Sequence, residues 1–179
     1  MIVAITGAGG TGKTTVTKIL QKKLRWTVVR PDELAKKKNL YLGYDKERKS
    51  WVVDLPKLKK EVKKIAKKEN NLIIESLYAH FFDVDIVIVL RCEPKFLEKR
   101  LKRKYSWPTK IVENKEAEMI GVITQEAIEI HEKKKVFEFD TTRVSPAQTA
   151  KQIMQVLKGS GSRYKLKYMA GRIDWLAKV

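Results

Sequence analysis

Three observations predict an α/β fold in which a five-stranded parallel sheet carries helices on both faces. Short, almost wholly apolar runs alternate with longer amphipathic ones along the 179 residues. The apolar runs lack polar alternation, as strands buried on both sides do. A glycine-rich turn, Gly7–Gly12, separates the first apolar run from the first amphipathic one.

Ile2–Thr6 is the first predicted strand. Lys13–Leu24 reads as a helix, with Val16, Ile19, Leu20 and Leu24 at helical spacing. Trp26–Val29 is a second strand, and Pro31-Asp32 starts a helix through Leu34-Ala35, proline being suited to the first helical position. Leu40–Ser50 is polar around Gly43 and reads as an irregular excursion. Leu55–Glu69 is amphipathic, with Leu58, Val62, Ile65 and Ala66 facing in and lysines facing out. Leu72–Ile74 is the third strand, ending on Glu75, and Asp85–Leu90 is the fourth. Pro94 opens a helix to about Lys102, Tyr105–Lys110 interrupts it, and a long helix is predicted over Val112–Lys134. Val136–Asp140 is the fifth strand. Ser145 and Pro146 read as the N-cap and first position of a last helix ending near Lys158. Gly159–Ser162 reads as a flexible linker and Arg163–Val179 as a basic, aromatic tail. The predicted domain therefore spans 1–158, with linker and tail over 159–179.

Apolar residues make up 43% and charged residues 34%, which excludes a disordered chain. Lys and Arg number 39 against 21 Asp and Glu, a formal net charge of +18. That excess points either to a polyanionic partner such as nucleic acid or to the lysine-rich surface of a heat-adapted protein. The segment 158–179 holds six cations against Asp174 alone, and its tyrosines suit stacking on RNA bases. Alternatively, Ile173, Trp175 and Leu176 anchor it back on the domain. A single cysteine, Cys92, excludes an intrachain disulfide and fits a reducing, cytoplasmic compartment. The longest clean apolar run, Ile86–Leu90, is far short of the roughly 20 residues that span a bilayer. No signal peptide is expected at the N-terminus.

The chemistry is concentrated first in Gly7-Ala8-Gly9-Gly10-Thr11-Gly12-Lys13-Thr14, which matches G-x-x-x-x-G-K-[ST] between a strand and a helix. Glycines let consecutive amides converge on phosphate oxygens, and the helix adds its positive end. The candidate nucleotide-binding residues are Gly7, Gly9, Gly10, Thr11, Gly12, Lys13, Thr14 and Thr15. Lys13 is expected on the β- and γ-phosphates, and Thr14 on Mg²⁺. No N-K-x-D or T-K-x-D segment of the kind that reads guanine is seen, which favours ATP.

Further segments carry a family resemblance. Leu34-Ala35-Lys36, Leu40-Tyr41-Leu42-Gly43-Tyr44-Asp45, Val89-Leu90-Arg91, Glu98–Arg103 and Glu113-Asn114 resemble the adenylate kinase isoenzyme 6 family, over roughly residues 1–158. The resemblance implies a P-loop NTPase fold with a short lid (about 102–112) and a monophosphate-binding segment (about 31–53). It implies Mg²⁺-dependent transfer of the ATP γ-phosphoryl group to AMP, an ATPase activity and a role in maturing the small ribosomal subunit. A small-subunit ribosomal protein and rRNA would be the partners. One place departs from the family: its acid-x-His reads Glu75-Ser76-Leu77 here, with His80 three residues later.

The remaining candidates follow from position. Glu75, at a strand end, is expected to hold the Mg²⁺ water shell. Arg91 directly follows the fourth strand, where ligands bind in such sheets, and is a catalytic candidate. Arg103 matches the family's lid arginine, with Arg100 beside it. Lys36, Tyr41, Gly43 and Tyr44 are candidates for the monophosphate side, and Arg143 for the adenine by resemblance. Two other readings stay open: an ATPase switch acting on ribosomal protein and rRNA, and a shikimate-type small-molecule kinase.

Overall fold

A computed structural model describes residues 1–103, 107–159 and 162–178. In chain order the elements are β1 (Ile2–Thr6), α1 (Lys13–Leu24), β2 (Thr27–Val29), α2 (Pro31–Lys38), β3 (Tyr41–Asp45), β4 (Ser50–Val53), α3 (Leu55–Ala66), β5 (Leu72–Glu75), β6 (Ile86–Arg91), α4 (Pro94–Lys102), α5 (Pro108–Met119), α6 (Val122–Ile130), β7 (Val136–Asp140), α7 (Pro146–Leu157) and α8 (Ser162–Tyr168). The main sheet is parallel and ordered β2-β5-β1-β6-β7, so β1 lies at its centre. This is the doubly covered α/β sheet expected of the P-loop pattern.

Strand alternation divides the core between the two faces. Val3 and Ile5 of β1 pack with Val16 and Leu20 of α1 and with Ala150 and Ile153 of α7. Ala4 faces the other way, among Leu58 and Val62 of α3, Leu97 of α4 and Ala127 of α6. Ser145 caps α7 by accepting from the Gln148 amide, with Pro146 at the first position.

Two expectations are corrected. The stretch 40–50 is not irregular: β3 and β4 form an antiparallel hairpin, with Tyr44 opposite Trp51 and Asp45 opposite Ser50. The Asp45 carboxylate closes its turn by accepting from the Glu47 and Arg48 amides, both at 2.9 Å. The predicted long helix is broken into α5 and α6 at Gly121, whose φ of 68° lies in the left-handed region that glycine tolerates.

Segment 162–178 returns to the domain. Tyr168 stacks on Phe139 with ring centroids 4.5 Å apart, and Met169 bridges Phe137 antiparallel to β7. Ser160 and Gly161 of the linker, Lys104–Ser106 of the lid segment and Val179 lie outside the described residues.

Candidate active site

The phosphate loop leaves the end of β1 and enters α1 through backbone that only glycine adopts readily. Gly7 has φ +134°, and a Cβ there would meet the Leu90 carbonyl at 2.3 Å. Gly12, with φ 98°, forms the α1 N-cap without a side-chain cap, and no acid stands in the first turn. The leading amides of α1 are thus presented to an anion. The Lys13 ammonium arches back onto the loop, donating to the Gly7 and Ala8 carbonyls at 2.7 and 3.0 Å. Thr11 braces the turn from within, its hydroxyl donating to Ala8 O at 2.9 Å.

Glu75 ends β5 beside β1 and is almost wholly buried. Its Oε1 accepts from the Thr14 hydroxyl at 2.5 Å, and its Oε2 from Arg30 Nε at 3.0 Å. Among the described residues no group of three or more acids, histidines or cysteines offers an all-protein metal cage. A threonine hydroxyl and one carboxylate at the mouth of a phosphate loop fit Mg²⁺, which takes few protein oxygens and the rest from phosphate and water.

These groups line one cleft of about 500 Å³. One wall is the loop; the other is Arg30, Asp32 and Glu33 at the start of α2. Asp32 accepts from the Tyr78 hydroxyl at 2.8 Å and from Ser76 at 3.1 Å. Burial and the Asp32 charge push the Tyr78 hydroxyl pKa up, so it stays a donor. From α5, Asn114 Oδ1 accepts from the Gly9 amide at 2.9 Å. Behind the loop, a recess of about 270 Å³ lies between Gly10, Thr15, Arg100 and Thr141. Arg100 donates to the Thr141 and Thr142 carbonyls at 2.7 and 3.1 Å, fixing the segment after β7 against α4.

A family model described as an AAA domain matches residues 3–121. A protein of Methanocaldococcus jannaschii bearing the name "Putative adenylate kinase" is 35% identical over 178 residues, covering 99% of this chain and 94% of its own. Proteins of the same name from Methanosarcina acetivorans and Methanosarcina barkeri are 38% and 40% identical over the full length of both chains. The chain belongs to this archaeal P-loop kinase family. Among solved structures, shikimate kinase from Acinetobacter baumannii superposes with TM-score 0.61 at 15% identity, covering 90% of this chain and 94% of that one. Deoxyadenosine kinase from M. mycoides gives 0.55 at 18%, covering 88% and 100%. At these identities the likeness shows the fold alone.

The kinase assembles Gly9, Gly10, Gly12, Lys13, Thr14, Thr15 and Glu75 along the cleft, with Gly7 and Thr11 shaping the loop behind them, but not every candidate read from the sequence. Arg91 is corrected: although it ends β6, its side chain turns away from the loop into a buried cluster. Its Nε donates to Glu118 Oε1 at 2.7 Å, its Nη2 to Glu118 O at 3.0 Å, and its Nη1 to Glu138 Oε1. Two buried carboxylates hold that guanidinium, so it is a structural ion pair and not a phosphate ligand. Arg103 stands exposed at the end of α4. Arg143 lies over the Phe96 ring at 5.2 Å. Lys36 is exposed on α2, while Tyr41 and Tyr44 pack on Trp51 at 5.2 and 5.3 Å. None of Arg103, Arg143, Lys36, Tyr41, Gly43 and Tyr44 lines the cleft. His80 does not replace the absent histidine. It is 1% exposed, its Nδ1 3.3 Å from the Thr6 hydroxyl and its Nε2 3.1 Å from Glu126.

Sequence reasoning missed Arg30 and Asp32. The available signal was their place just after β2, since ligands gather beyond the carboxyl ends of parallel strands.

Proposed function

We propose that this kinase transfers the γ-phosphoryl group of ATP to AMP. One observation carries the reading: a single cleft sets the phosphate loop opposite Arg30 and Asp32, with Glu75 between them. The names borne by the archaeal relatives support AMP as the acceptor. The loop amides and Lys13 would hold the β- and γ-phosphates. Mg²⁺, bound through Thr14 and, by way of water, Glu75, would neutralise charge on the transferring oxygens. Arg30 is placed to exchange its carboxylate partner for the acceptor phosphate, a change of anion for a planar cation. An AMP phosphate oxygen is already ionised, so transfer needs alignment and charge neutralisation more than a base. Arg103, from the lid, would complete that neutralisation on closure, while Lys36, Tyr41, Gly43 and Tyr44 would flank the acceptor.

Hydrolysis makes a different demand, a water held in line. Leu77, 48% exposed and apolar, lines the cleft and offers no polar group to hold such a water. We therefore expect kinase turnover to exceed ATPase turnover, and Leu77→His to raise the ATPase share; an unchanged ratio would sink that idea. A second reading, an ATPase switch on a small-subunit ribosomal protein and rRNA in the cytoplasm, is favoured by the net charge of +18. No helix among the described residues is long and apolar enough to cross a membrane.

The deciding experiment incubates the protein with Mg-ATP, with and without AMP or shikimate, and resolves products by chromatography. Two ADP formed per AMP consumed establishes the kinase reading. ADP formed equally without AMP establishes the switch instead, and a phosphorylated shikimate overturns both.

A further inference from the structure

A hollow larger than the phosphate cleft lies elsewhere on the protein. A groove of about 800 Å³ opens between α3 and the end of α6, beside the start of β1, whereas the phosphate loop follows the end of that strand. Its floor is apolar: Ile2, Ala66, Ile74 and Val84, with Ile130 forming a lip that is 48% exposed. Its rim is basic. Lys59, Lys60, Lys63 and Lys67 line it along α3, and Lys135 faces them.

The lysines of α3 are sorted. Lys57 pairs with Asp54 at 2.9 Å, and Lys64 pairs with Glu61 at 2.6 Å. Among the described residues, none of Lys59, Lys60, Lys63 and Lys67 has a carboxylate within 4.0 Å. Lys59, Lys63 and Lys67 are spaced four apart, so like charges repel along one helix stripe. The acids facing the groove are Asp83 and Glu132, and Glu132 is engaged by Lys134 at 2.6 Å and Lys135 at 3.3 Å. His131 also faces it, held by a 2.8 Å contact from its Nε2 to the His80 carbonyl.

We infer that this groove docks an acidic amphipathic helix of a partner protein, whose apolar side chains enter the floor and whose carboxylates meet the Lys59, Lys63 and Lys67 stripe. Charge complementarity selects the sign of the partner, and the aliphatic floor selects its class. A single-stranded nucleic acid needs aromatic faces for its bases. Here Phe82 is buried and Phe81 packs on His80 with centroids 4.3 Å apart. An amphipathic helix needs what the groove has, apolar anchor pockets beside countercharges.

The test uses the full-length protein and a fluorescein-labelled 16-residue peptide, glutamate-rich with leucines at helical i, i+3 and i+4 spacing, followed by anisotropy. Saturable binding is expected, weakened at least about thirtyfold in the Lys59→Glu, Lys63→Glu, Lys67→Glu variant, given modest worth per exposed pair. Ile130→Ser should weaken it about threefold. A peptide of equal composition with scattered leucines should bind at least about tenfold more weakly. Nucleotide turnover should stay unchanged in every variant, which also shows that each is folded. Absence of binding, or binding indifferent to the lysine reversals, overturns the inference. So does poly(U) binding that the reversals abolish and the peptide fails to displace.

Discussion

Removing Arg91 tests whether the buried cluster is structural. In Arg91→Met the side-chain volume is roughly kept while Glu118 and Glu138, each about 3% exposed, lose their common cation. Taking one partner from a buried pair costs about 3–5 kcal/mol. The lost charge-assisted bonds, at about 1.5–3 kcal/mol each, give a similar figure for the two carboxylates. We expect a loss of about 4 kcal/mol at pH 7, a large part of a typical domain's stability. With a urea slope of about 2 kcal/mol per molar, the midpoint falls by about 2 M. The pH dependence adds a second readout. Burial raises the Glu118 pKa even against the pull of Arg91, so the native state takes up this proton at higher pH than the unfolded chain. Removing Arg91 takes away the pull that opposes burial, so Glu118 in the variant takes up its proton at still higher pH than in the parent, and the deficit should shrink between pH 7 and the ordinary carboxylate range. A loss under about 1 kcal/mol with unchanged slope would refute this account. Near-native stability with a turnover collapse would return Arg91 to the catalytic candidates.

Four further outcomes are expected. Glu75→Gln should lower turnover about 10–100-fold and raise the Mg²⁺ concentration needed, while melting changes little, because it weakens the partner of Thr14. Gly9→Ala places a Cβ 2.8 Å from Asn114 Oδ1; it should cost about 1 kcal/mol by urea titration and slow turnover by breaking the loop's contact with α5. Trp175→Phe removes the 2.9 Å indole bond to Glu118 and should cost about 1.5–3 kcal/mol by the same titration. Burial holds His80 below its ordinary pKa, so the unfolded chain gains this proton first and stability falls as pH drops below about 6.5. His80→Gln should flatten that slope between pH 7 and 5.5, and an unaltered slope would refute the assignment.

What the sequence disclosed followed the range over which its signals act. Strands and most helices were legible because each apolar pattern is local and the capping residues, such as Ser145 and Pro146, stand beside what they cap. The phosphate loop was legible because its function is backbone geometry, written directly in Gly7, Gly12 and Lys13. Glu75 was placed by its strand end, and its side chain does reach Thr14. Arg91 shows where that logic stops. Position after a strand fixes where the Cα lies, but the side-chain direction was decided by Glu118 and Glu138, 27 and 47 residues away. The hairpin of β3 and β4 was hidden because its burial is shallow, Trp51 being 59% exposed, so no apolar alternation marks it. The break at Gly121 was hidden because an isolated glycine is also tolerated within helices.

The return of segment 162–178 fixes a chronology for the protein. The Gly171 and Arg172 amides donate to Glu138 Oε2 at 2.8 and 3.2 Å, Trp175 serves Glu118, and Ala170 N meets Val136 O at 3.0 Å. β7 is one of the two edge strands, and an edge strand left bare is a template for pairing with other chains. In a growing polypeptide segment 162–178 emerges after every strand of the sheet, because it follows β7 in the chain. Until that segment docks, the β7 edge is open and Glu118 and Glu138 lack the donors it brings. For this protein, protection from self-association begins with the docking of segment 162–178 on β7 and not with the formation of its core.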